Sequence, residues 1–160
     1  MERIDQRGKS DSKWFMGRGK LQDIVEDLRS SSEGHPWNGV DLLLLHTNAT
    51  PRQLVGVNDA IGVEVWDRVR LLLALFTAHA SSVEARTQVR IARLQSDRTV
   101  LREIVKLQTT GERAGYGGAG QTAAGSILTN VNRELTALRK RQRKQAVSYT
   151  HLRAHETSNH

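Results

Sequence analysis

The chain has 160 residues and a formal charge of +7, which suits one ordinary domain plus an appendage and favours anionic partners, nucleic acid before an anionic membrane surface. Hydrophobic residues make up 38% and aromatics 4%, so the core has to be aliphatic, built from Leu, Val, Ile and Ala. The absence of Cys excludes a disulfide framework and a thiolate zinc site, no apolar run approaches the roughly 18–20 residues of a membrane span, and the charged N-terminus lacks a signal-peptide core, all of which points to a cytoplasmic protein.

Residues Met1 to about Lys13 are polar, with Ile4 as the aliphatic anchor. Trp14-Phe15-Met16 is a short apolar patch expected as a strand, and it runs into Gly17-Arg18-Gly19-Lys20. Leu21, Ile24, Val25 and Leu28 recur at helical spacing, and Ser30-Ser31-Ser32-Glu33-Gly34 ends that helix. Val40 to Leu45 is apolar throughout and bounded by Gly39 and Thr47-Asn48, the pattern of an interior parallel strand. Thr50-Pro51 opens a helix, threonine as N-cap and proline in the first helical position. That helix ends near Gly62, and Val63 to Trp66 is a further strand. The alternation predicts an α/β subdomain over residues 1–66, a small parallel sheet with flanking helices.

Asp67 can cap the next helix, with Leu72, Phe76 and Ala80 along one side and Leu71 to Phe76 as a buried helix face. Ser81-Ser82-Val83-Glu84 has capping-box spacing, Ser81 reaching forward and Glu84 back. A break near Ser81 and a long helix to about Leu107 follow. Its expected inner stripe is Ala85, Val89, Ala92, Ser96, Val100, Ile104 and Leu107, with Arg86, Arg90, Arg93, Arg98 and Arg102 on the other face. Thr109 to Gly125 is too rich in Gly for regular helix throughout, and a second stripe, Leu128, Val131, Leu135 and Leu138, comes after it. Two narrow stripes joined by a loop predict a helical subdomain over 67–145, a projecting antiparallel α-helical hairpin with a glycine-rich tip at 113–125.

Three segments carry chemistry. Gly17, Gly19 and Lys20 lie between a strand candidate and a helix, where backbone amides and a lysine can meet a phosphate. The spacing is not G-x-x-x-x-G-K-[ST], and a plain turn is the other reading. At the tip, Arg113, Gly115, Tyr116, Gly117, Gly118, Gly120, Gln121 and Thr122 combine slim backbone, one cation and one aromatic. That mixture suits a narrow RNA cavity, with Tyr116 stacking on a base, although a simple connector has the same composition. Arg139, Lys140, Arg141, Arg143 and Lys144 form a dense basic block for phosphate contacts or a solvated helix face. Paired carboxylates, a Ser-His-Asp set and metal clusters are not evident, so no catalytic or metal residue is assigned.

Asp67-Arg68, Leu71 to Phe76, Ala78-His79-Ala80, Glu84, Gln88-Val89, Ala92 and Leu94 follow the order of D-R-x-x-L-I-L-x-I-F-A-x-R-A and E-G-x-L-Q-V-E-L-A-x-L. In this the chain resembles the HflX family of ribosome-associated GTPases. Phe15 to Leu21 is similar to that family's G-x-G-K segment, Thr50-Pro51-Arg52-Gln53-Leu54 to its L-S-P-x-Q segment, and Gly115 to Thr122 to its G-G-x-G-x-x-G-P-G-E-T loop. Gly118-Ala119-Gly120-Gln121 departs from G-P-G-E, and Arg90 stands where the pattern has Glu.

The resemblance implies an N-terminal α/β subdomain lacking its first strand and helix, a helical hairpin, and a P-loop GTPase domain beyond. It implies binding to the large ribosomal subunit, with its ribosomal RNA as partner, and the splitting or rescue of ribosomes. GTP and Mg2+ are expected in the GTPase domain, whose G-x-x-x-x-G-K-[ST], D-x-x-G and N-K-x-D motifs are expected to be missing here, so hydrolysis is expected of the full-length family member and not of this portion. Residues 146–160, with His151 and His155, resemble a translated sequencing-adapter tail and are expected to be disordered, which reads the chain as a monomeric gene fragment. A stand-alone basic RNA- or protein-binding adaptor without GTPase activity is the alternative.

Overall fold

A computed structural model describes residues 13–110 and 118–157, with the backbone alone at 118–122 and 155–157. The chain divides after Ala74 into two compact units, Met1–Ala74 and Leu75–His160. The boundary falls inside a helix, whereas the sequence reading places it between residues 66 and 67.

The first unit contains α1 (Arg18–Ser30), β1 (Leu42–Leu44), α2 (Pro51–Ile61), β2 (Glu64–Trp66) and the start of α3 (Arg68–His79). The strands pair in parallel, with Leu42 opposite Glu64, Leu43 opposite Val65 and Leu44 opposite Trp66. Helix α2 makes the crossover, and its start is well determined. The Thr50 hydroxyl accepts from the Gln53 amide at 3.2 Å while the Gln53 side chain accepts from the Thr50 amide at 2.9 Å, a reciprocal box that satisfies two otherwise orphaned donors. Gly62 closes the helix in the left-handed region at φ 78°, where glycine carries no Cβ penalty. Met16, Leu21, Leu45 and Val57 form the core, with Trp14, Ile24, Leu43, Leu54 and Val65 packed around them.

Asp67 binds two segments together. It is 6% exposed, and its carboxylate accepts from the Arg70 amide at 2.9 Å, capping α3, and from the Ala49 amide at 3.2 Å, just ahead of α2. The Arg68 amide adds a bond to the Thr47 carbonyl at 3.0 Å.

Three expectations for this region are corrected. Trp14-Phe15-Met16 is not a regular strand: Phe15 makes a single β-bridge within a tight turn, the Met16 amide reaching the Trp14 carbonyl at 2.6 Å with Phe15 at φ 65°. A missing side chain on α2 makes room for it: a Cβ on Gly56 would run into the Lys13 carbonyl. β1 is not covered on both faces: among the described residues it belongs to a two-stranded sheet with β2, and Leu44 is 52% exposed while Leu45 is buried. The Leu71–Phe76 run is not a buried face either. No residue of α3 is buried, because leucines surround this helix and no described element covers Leu72 or Phe76.

The second unit is built on α4 (Val83–Thr109) and α5 (Gly118–Thr157). The cap of α4 sits one residue later than the sequence suggests, the Ser82 hydroxyl accepting from the Ala85 amide at 3.0 Å. The two helices form an antiparallel hairpin around Ile91, Leu94 and Leu135, joined by Val131 and Leu138. On α5 the inward positions 124, 128, 131, 135, 138 and 142 alternate in steps of four and three, the 3.5-residue repeat of a coiled-coil seam. On α4 the buried residues are Ile91, Leu94 and Leu107, with Arg98, Val100, Leu101, Ile104 and Val105 half-buried; the end of the expected stripe is thus buried at Leu107, whereas Ile91 and Leu94 take the place of Ala85, Val89 and Ala92. Small residues on the outer side carry a helical period without marking the buried face.

Arg90 and Glu134 clamp the seam through two bonds, 2.8 and 3.1 Å. Their hydrogen bond raises the Arg90 pKa and lowers that of Glu134, against a smaller opposing effect of desolvation. The Arg at position 90, a departure from the resembled pattern, thus has its charge met across the hairpin. Extending this register sets Gln142 level with the start of α4, and from Arg143 to Ala154 every residue is exposed. Helix α5 nevertheless continues through Thr157, where the sequence reading expects disorder; residues 146–157 contain neither Gly nor Pro to stop it. No described helix is long and apolar enough to cross a membrane.

These contacts set three expectations. Gly56→Ala lowers stability by roughly 1–3 kcal/mol through overpacking, although alanine is the better helix former, as chemical denaturation would read. Asp67→Ala costs roughly 2–3 kcal/mol by leaving two amides without their charged acceptor, and Asp67→Asn, which keeps one acceptor oxygen, costs less. Glu134→Gln weakens the hairpin by roughly 0.2–1 kcal/mol, as for other exposed pairs. Because folding depresses the Glu134 pKa, that contribution is present above the ordinary carboxylate range and fades as pH falls through it. Melts followed by circular dichroism should therefore separate wild type from Glu134→Gln near neutrality and merge them in acid.

Candidate nucleic-acid interface

Arg113, Gly115, Tyr116 and Gly117 lie outside the described residues. Gly118, Gly120, Gln121 and Thr122 do not belong to a loop: they form the opening turns of α5. Helix α4 ends at Thr109 and α5 begins at Gly118, so residues 118–125 of the expected tip are helical. A helix N-terminus presents free amides, so the glycine content lightens the start of a rod and does not interrupt it.

The basic block lies farther along the same helix. Lys140, Arg141, Arg143 and Lys144 are exposed and Arg139 is half-buried at the edge of the seam. At about 1.5 Å per residue, Gly118 and Arg139 are on the order of 30 Å apart. The start of α5 and the basic block at its middle are therefore held apart on one helix and cannot grip one phosphate together.

Gly17, Gly19 and Lys20 sit in the first unit. Gly17 is the N-cap of α1 without a side-chain cap bond, and the preceding segment is the Trp14 turn, not a strand. A Cβ at Gly19 would meet open space, so no close backbone approach demands glycine there. Lys20 is half-buried and already engaged. The neighbouring cations serve the tryptophan instead, with the Lys13 ammonium 4.9 Å and the Arg18 guanidinium 5.4 Å from the centre of the Trp14 ring. Asp59-Ala60-Ile61-Gly62 has D-x-x-G spacing, so that pattern is present in the chain against expectation; the structure makes it the last turn of α2 and its cap. No group of three His, Cys, Asp or Glu gathers among the described residues.

The sequence reading also misses the two edges that flank the hairpin seam. Under a 3.5-residue repeat, residues seven apart share an edge. Arg90 and Asp97 on α4 share one with Glu134 and Arg141 on α5, as the Arg90–Glu134 contact fixes. Gln88, Gln95 and Arg102 on α4 share the other with Asn132 and Arg139 on α5. The signal was the interval of seven itself, hidden because glutamine and arginine have no hydrophobic contrast.

Comparisons with known proteins agree with this architecture. The family described as GTP-binding GTPase N-terminal matches residues 1–77. GTPase HflX of Methanocaldococcus jannaschii is 30% identical over 88% of this chain and 33% of its own length. GTPase HflX of Hyperthermus butylicus is 31% identical over 73% of this chain and 33% of its own. The chain thus spans about a third of the length of these relatives. Among solved structures, a GTP-binding protein from Sulfolobus solfataricus in complex with GDP superposes with a TM-score of 0.50 at 22% identity, covering 83% of this chain and 35% of that one, a likeness of fold. Parallel crossover, helical hairpin and sequence match together identify this chain as the N-terminal region of an HflX-family protein.

Proposed function

We propose that this chain is the ribosome-binding portion of an HflX-type GTP-binding protein and that it docks on the large ribosomal subunit through its hairpin. The observation that carries the reading is the α4–α5 rod, with a glycine-rich start at one end and exposed Lys140, Arg141, Arg143 and Lys144 toward the other. The roughly 30 Å of helix between them lets one end reach a crevice while the basic block meets phosphates on the surface. Tyr116 and Arg113 at the connector supply stacking and charge. The block at 139–144 adds a sequence-independent, salt-sensitive attraction. Splitting or rescue of ribosomes, and GTP hydrolysis with magnesium, belong in this reading to the complete protein, acting in the cytoplasm, since its relatives are about three times as long.

Co-sedimentation with large and small ribosomal subunits across a salt series tests it. Binding to the large subunit should fall steeply with salt, by a factor of roughly 10 or more between 50 and 200 mM if several phosphates are contacted. Tyr116→Ala should weaken large-subunit binding by about tenfold, the size of one base–aromatic stack, and leave the helical content unchanged. Equal binding to both subunits, or binding indifferent to Tyr116, would favour a general basic adaptor instead.

A further inference from the structure

We propose that the hairpin is built in two halves that open independently, a firm base and a yielding tip half, divided at Arg98. This is a property of the α4–α5 pair itself and holds whatever the tip meets.

The buried contacts of the hairpin are unevenly placed. Ile91, Leu94 and Leu135 form one cluster with Val131 and Leu138 packed against it, and Arg90 clamps Glu134 beside it at 2.8 Å. On α4 these residues all precede Arg98, and on α5 they all follow Leu128. Toward the tip, Leu107 and Ala124 are buried but stand outside that cluster, and Leu101, Val105 and Leu128 are half-buried. Arg98 falls between the two groups. It lies seven residues after Ile91 and four after Leu94, so under a 3.5-residue repeat it continues their line along α4. Ile91, Leu94, Leu101 and Val105 on that line are apolar. Arg98 is half-buried, and its Nε is buried without a hydrogen-bond partner among the described residues.

The physical consequence is a gap in cooperativity. A guanidinium keeps its charge, and all its polar atoms are donors. A donor held out of water without a partner costs free energy that neighbouring apolar contacts must offset. One polar residue in a coiled-coil seam lowers stability where it sits, so packing on one side of Arg98 does little to hold the other. The tip half is also the weaker by its backbone. The glycines of α5, Gly118, Gly120 and Gly125, all precede Ser126. A Cβ at Gly125 would meet open space, so no close approach requires glycine there, and it lowers helix stability relative to alanine. Local opening is drawn from regions with few buried apolar contacts, which places it beyond Arg98 while the Ile91 cluster stays closed.

Native-state hydrogen exchange on the whole chain, resolved by residue, tests this. In the wild type, amides of residues 99–109 and 123–130 should exchange through an opening that leaves those of 90–97 and 131–139 at least about tenfold better protected. Arg98→Met keeps an unbranched stem and removes the guanidinium. It should slow exchange of the tip half at least about tenfold, toward the rate of the base, and change the base less than about threefold. Arg102→Met, at an exposed position of the same helix, removes the same charge and should move neither half by more than about threefold. Gly125→Ala should slow the tip half alone, and it decides the matter if Arg98→Met misfolds or self-associates. Both halves exchanging at one rate in the wild type overturns the division. So does Gly125→Ala slowing the base as much as the tip. No slowing by Arg98→Met, or equal slowing by Arg98→Met and Arg102→Met, overturns Arg98 as the divider.

Discussion

A seam three and four residues wide holds the second unit together, and its narrowness is what makes the rest of that unit available for binding. Ile91, Leu94 and Leu135 supply the fully buried contacts, with Val131 and Leu138 beside them. An a/d stripe covers only a small arc of each helix. The remaining surface therefore faces solvent and must be polar, which leaves room for arginines, amides and threonines along the whole length. A broader apolar face would have stabilised a globule and consumed the positions that now carry charge. The ion pair between Arg90 and Glu134 fits this picture. At an exposed edge it adds little stability, but it fixes which edges of the two helices adjoin.

The first unit solves a different problem, that of ordering short elements with few apolar residues. Each strand is three residues long, too short to be stable through pairing alone. The connections do more than the strands. The reciprocal Thr50–Gln53 box, the left-handed Gly62 and the buried Asp67 determine where α2 and α3 begin and where α2 ends. Asp67 is the most economical of these, because one carboxylate serves both the approach to α2 and the cap of α3. Hydrogen bonds to a charged acceptor are stronger than neutral ones, and a buried carboxylate without them would be costly.

Much of this was legible in the residues. Thr50-Pro51, Gly62, Asp67 and the break near Ser81 act through local chemistry, and local chemistry is written in adjacent letters. The hairpin followed from two apolar periods separated by glycines. The errors arose where tertiary packing chooses among options that the local pattern leaves equal. Ala85, Val89 and Ala92 repeat at a helical interval as well as Ile91 and Leu94 do, and only α5 decides which row is covered. Trp14-Phe15-Met16 has the composition of a strand, yet the contact of Lys13 with Gly56, 43 residues away by number, bends it into a turn. Leu71 to Phe76 is apolar on all sides, so the pattern predicts burial and cannot say that α3 lacks a cover.

The candidate site was suggested by composition, and its arrangement was hidden. Glycines, a tyrosine and a run of cations suggest RNA wherever they fall, but the sequence places the tip and the block about two dozen residues apart without saying whether they meet. Continuous helix from Gly118 answers this, because a rigid rod converts separation in sequence into separation in space. It also converts an interval of seven into a common edge.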